Sequence, residues 1–134
     1  MSVRGEAMIG ESGGLIGPFN AFLYSPTITE PIGHTGDLLR SETVIERSLL
    51  ELAITVVLGH WRAEFAFGGH VAMAVDHGLN QQIIDAIVAG TEPEFGSENL
   101  LRVCQTVEEA IRWPGAMGSR GVRGSPQVGC SAAG

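Results

Sequence analysis

Glu51 and His70 are the residues of this 134-residue chain whose types and spacing best suit chemistry. Each stands in an apolar stretch: Glu51 in the run 49–58, His70 among Phe65, Phe67, Val71 and Met73. Gly59-His60 breaks the chain between the two stretches. Folded back on each other at that break as helices, they place both residues about 14 Å from the turn, at one height. A carboxylate and an imidazole facing each other between apolar walls suit proton transfer. Burial favours their neutral forms and pairing their charged forms. The same spacing also suits a satisfied core pair, or a pair at an interface between copies. Arg47 lies one helical turn before Glu51, where it can be the salt-bridge partner of that carboxylate.

Other polar residues carry weaker patterns. His60 and Glu64 have the i,i+4 spacing of metal ligands, but no third ligand accompanies them and no metal is expected. His70 and His77 are seven apart and share a helix face with Ala63, Ala66 and Ala74. Such small side chains leave room for a ligand or form a tight helix seam, and the seam is the preferred reading. His34 lies in a polar stretch and is expected in solvent, as are Glu108 and Glu109. Arg47 or Arg62 can hold a substrate carboxylate. Cys104 and Cys130 are the only cysteines, form no Cys-x-x-Cys pair, and are expected as two free thiols. All eight basic residues are arginine, so no lysine exists for a Schiff base.

Composition bounds the rest. The chain is long enough for one domain with a core. Its 44% hydrophobic and 17% charged content is that of a globular protein, not a disordered one. A net charge of −7 argues against nucleic acid or an anionic membrane as partner. No signal-peptide pattern is visible, and the apolar run 49–58 is about half the length that spans a bilayer. A cytoplasmic location is therefore expected. Charge is uneven: the 15 acids and five arginines of 1–111 give −10, whereas 112–134 hold three arginines and no acid.

The elements that must position the pair read as helices throughout. Residues 1–16 are expected as a loose, Gly-rich arm. Phe19, Phe22 and Leu23 mark a short helical segment. Ser25-Pro26 then opens a helix over about 27–39, with Pro31 expected in its first turns, where a missing N–H costs little. Ser41 to Thr43 offer caps for the strongly apolar helix that begins at Val44. A second long helix is expected over 61–77, interrupted by Gly68-Gly69, whose use would be close approach by a neighbouring helix. His77-Gly78 stops it. Asn80 caps a helix over 81–89 that ends at Gly90, and Ser97 caps a last one over 98–112. The class is all-α, with a helical domain over 17–112 and a Gly/Arg/Ser-rich tail over 113–134.

Several of these runs together resemble the carboxymuconolactone decarboxylase-like family. Gly17-Pro18-Phe19-Asn20-Ala21-Phe22-Leu23 followed by Ser25-Pro26 is similar to its opening motif. Arg47 through Ile54 is similar to its glutamate-bearing helix, and His60-Trp61-Arg62-Ala63-Glu64-Phe65 through His70 to the segment that ends on its histidine. Ala74, Gly78-Leu79, Ile83-Ile84, Ala86-Ile87 and Gly90 continue the pattern, so the resemblance covers about residues 17–95.

The resemblance implies an alkylhydroperoxidase D-like helical fold with a central antiparallel helix pair, assembled as trimers or hexamers. It implies His70 as motif histidine and Glu51 as relay glutamate. The reductases of that superfamily work through two cysteines, but the corresponding positions here are Ala63 and Ala66, which have no thiol. Ala66 is also where many non-redox members carry Glu, and Glu64 is a displaced substitute. Past residue 112 the chain departs from the family, and the C-terminal helices are expected to be incomplete, as in a truncated or frame-shifted reading. The leading expectation is acid/base chemistry, a decarboxylation or related lyase reaction on a small organic acid or lactone. His70 and Glu51 would be catalytic, Arg47, Arg62 and Glu64 would bind substrate, and no cofactor is needed. The alternatives are a peroxiredoxin-type antioxidant relying on Cys104, and a non-catalytic oligomeric remnant.

Overall fold

The computed structural model describes residues 11, 13–15, 17 and 19–112. The expected arm over 1–16 falls almost wholly outside them, and the tail over 113–134 entirely. Among the described residues there are six α-helices and no strand, so the all-α class holds. The chain divides between Val44 and Ile45 into two compact units. That boundary falls inside the span expected as one helical domain.

The first unit carries α1 (Phe19–Phe22) and α2 (Pro26–Ser41). Pro26 occupies the first turn of α2, where a missing N–H removes no helical bond. The Thr29 hydroxyl donates to the carbonyls of Ser25 and Phe22, which ties the end of α1 to the start of α2. Because α2 begins at Pro26, Pro31 is its sixth residue and lies past the first turn. The expectation that it costs little is corrected: at that depth proline removes a ladder bond. No residue of α2 is buried, and Ile28, Ile32 and Leu39 are exposed.

The second unit carries α3 (Arg47–His60), α4 (Glu64–Asp76), α5 (Gln81–Ala89) and α6 (Glu98–Arg112). The N-cap position of α3 is Glu46, not one of the Ser41 to Thr43 candidates. Ser41 ends α2 and its hydroxyl donates back to the Asp37 carbonyl, so α3 starts three residues later than Val44 suggested. The α3–α4 connection is the three residues Trp61 to Ala63. Arg62 turns the chain there with φ +53, in the left-handed region, which delays α4 to Glu64. Gly78 at φ +89 stops α4. The side chain of Asn80 accepts from the Gln82 N–H, and Gly90 closes α5 in the left-handed region. Ser97 Oγ accepts from the Leu100 N–H at the start of α6.

α3 is the centre of this unit, packing on α4, α5 and α6. Its Leu52 and Val56 meet Ala74 of α4, Ile83, Ile84 and Ile87 of α5, and Cys104 of α6 in one buried cluster. The close approach expected at Gly68-Gly69 does not occur. A methyl group added at either would meet nothing within 4 Å. The tight contact is at Gly59, where an added Cβ would lie 3.1 Å from Ile87 Cγ2. No helix among the described residues is long and apolar enough to cross a membrane.

Candidate functional site

α3 and α4 run antiparallel across their short turn, with Gly59 near Phe67 at one end and Glu51 against His70 further along. Leu52, Thr55 and Val56 turn α3 into the core, and Glu51 shares that buried side. The Glu51 carboxylate is 0% exposed. Its two oxygens are divided between two partners. Oε2 lies 2.8 Å from His70 Nδ1, at hydrogen-bond distance, and Oε1 forms an ion pair with Arg47 Nη2 at 2.8 Å. Arg47 reaches Glu51 along one turn of the same helix, whereas His70 crosses from α4. One turn below Glu51 the Thr55 hydroxyl donates to the Glu51 backbone carbonyl at 2.7 Å, so the helix carries this polar group with its bonds made.

Exposure grades outward from the carboxylate. The side chain of His70 is 16% exposed and that of Arg47 24%. Glu51 is therefore the buried anchor, and both of its partners are partly exposed. A carboxylate that fixes one nitrogen of a partly exposed ring is an arrangement able to take up and deliver protons.

No family model, curated protein or solved structure matches this chain.

The other residues considered from the sequence stand apart from this triad. Arg62 is in the turn and Glu64 opens α4, eight and six residues before His70, both exposed. Ala63 and Ala66 are half-buried, Ala74 is in the core, and His77 is exposed just past the end of α4. The His60 ring packs edge-on against Trp61, with centroids 5.1 Å apart.

Two expectations are corrected. Glu108 is buried at 8% exposure, with Oε2 accepting from Arg112 Nη2 at 3.2 Å, and so does not stand on a solvent face beside exposed Glu109. Its burial was signalled by spacing: Leu100, Cys104, Val107 and Ile111 share its side of α6, and that side faces the core. Cys104 is 0% exposed and disulfide-bonded, so it is not a free thiol. It cannot present a thiolate to a peroxide.

Proposed function

We propose that this protein carries out acid/base chemistry on a small, carbonyl-bearing organic acid or lactone, with His70 as proton donor and acceptor and Glu51 as its partner. The observation that carries this reading is the 2.8 Å contact between His70 Nδ1 and a wholly buried Glu51 carboxylate, made across two helices.

The reaction class that such a pair supports is decarboxylation or a related lyase step. When an acid with a carbonyl β to its carboxylate loses CO2, the electron pair left behind spreads into the carbonyl oxygen as an enolate. Protonated His70 then gives its proton to the carbon, and the neutral ring is ready to be protonated again from water. The resemblance of residues 17–95 to the carboxymuconolactone decarboxylase-like family supports the same reading, and so does the helical frame. It also favours assembly of several copies, to which exposed Phe65 and Val75 on α4 are suited. A peroxidase reading has less support, since Ala63 and Ala66 carry no sulfur and Cys104 is buried.

A panel of small β-keto acids and lactones, with CO2 release and loss of ultraviolet absorbance as readouts, tests the proposal. Turnover by the wild-type chain and its loss in His70→Gln, with helical content retained, is the expected result. Full turnover in His70→Gln, or none by the wild-type chain on any of the panel, would overturn it.

A further inference from the structure

The division of the Glu51 carboxylate between two partners assigns a job to Arg47. Arg47 Nη2 stands 2.8 Å from Oε1 in an ion pair, and a guanidinium has no acceptor to offer. The carboxylate of that pair offers acceptors only. The atom facing Oε2 at 2.8 Å must then be a donor. That atom is His70 Nδ1.

We propose that Arg47 is a positioning residue: by pairing with the Glu51 carboxylate it fixes neutral His70 as the Nδ1–H tautomer and leaves Nε2 as the nitrogen that takes up and delivers the proton. This inference rests on the acid/base reading of His70 but adds to it. It says which nitrogen exchanges the proton and what sets that choice. Neutral imidazole in water favours the other tautomer, with the proton on Nε2, so the assignment is a shift imposed by the protein. It also gives Arg47 a different task from holding a substrate carboxylate. The guanidinium is ion-paired with Glu51 within its own helix, one turn away.

The chemistry has a direction. With Nδ1–H facing Glu51, a proton taken up from water arrives at Nε2 and makes an imidazolium whose other N–H already points at the carboxylate. No side chain has to turn over between uptake and delivery, so the geometry is ready before substrate arrives.

The test is a two-bond proton–nitrogen NMR spectrum of the full chain labelled with 15N-histidine, recorded without substrate at a pH where the His70 ring is neutral. His70→Gln identifies the signal. In the wild-type chain Nδ1 is expected as the pyrrole-type nitrogen and Nε2 as the pyridine-type one. Arg47→Gln should move the majority population to the Nε2–H form, with sucrose added to favour the folded state if that variant is marginal. Arg47→Lys, which keeps a positive charge, should restore Nδ1–H. A wild-type ring in the Nε2–H form overturns the proposal, as does an Arg47→Lys ring in that form or an Arg47→Gln ring identical to the wild type. None of these readouts depends on turnover. An Nδ1–H ring in a chain that turns nothing over would remove the enzymatic reading and leave the positioning role of Arg47 standing.

Discussion

Removing either member of the Arg47–Glu51 pair should destabilise the second unit, but by different amounts. The order follows from exposure. Arg47→Met strands a carboxylate that is 0% exposed, with only the His70 ring beside it. Breaking a buried pair in this way costs roughly 3–5 kcal/mol. Glu51→Leu instead removes the anion beside a guanidinium whose side chain is 24% exposed. Arg47 can turn part of its charge to water, so about 2–3 kcal/mol is expected, below the range for a fully buried orphan. The double variant Arg47→Met, Glu51→Leu removes both charges and fills the space with apolar groups. It should fall within about 1 kcal/mol of the wild type, since replacing an ion pair by packed hydrophobes is often close to neutral. Urea unfolding followed by far-UV circular dichroism measures all three, read as midpoint shifts at unchanged m. Strict additivity of the two single changes, or a larger loss for Glu51→Leu than for Arg47→Met, would refute the reasoning, because each would mean that Glu51 is not the buried anchor of a coupled pair.

Four further substitutions test the packing and one helix cap. Gly68→Ala and Gly69→Ala should each stabilise α4 by about 0.5–1 kcal/mol, because both lie inside a helix with open space where a methyl would go. Gly59→Val, by contrast, should cost about 1–3 kcal/mol by driving a side chain against Ile87; thermal unfolding of the three variants separates the signs. Asn80→Ala should cost about 1 kcal/mol, because the Gln82 N–H loses its side-chain acceptor, and amide hydrogen exchange in the first turn of α5 should quicken accordingly.

Much of the fold was legible in local chemistry. The helix over 81–89 was readable from a capping Asn80, a left-handed Gly90 and apolar residues at helical spacing, all of which act within one or two turns of chain. The pairing of Glu51 with His70 was readable for a similar reason. A short break between two apolar helices leaves antiparallel return as the compact solution, and equal distances from the turn then bring the two side chains to one height. Only the tertiary structure decided the rest. Gly68 and Gly69 look like a contact seam in sequence, yet the tight approach belongs to Gly59, because α5 brings Ile87 against α3 there while open space lies beside both glycines of α4. Glu108 and Glu109 are indistinguishable by type, but the packing of α6 buries one and leaves the other in solvent. Arg47 had two readings in sequence, ion-pair partner or substrate clamp. The pairing was settled by the burial of Glu51, since a carboxylate withdrawn from water needs its charge met by whatever cation lies within reach.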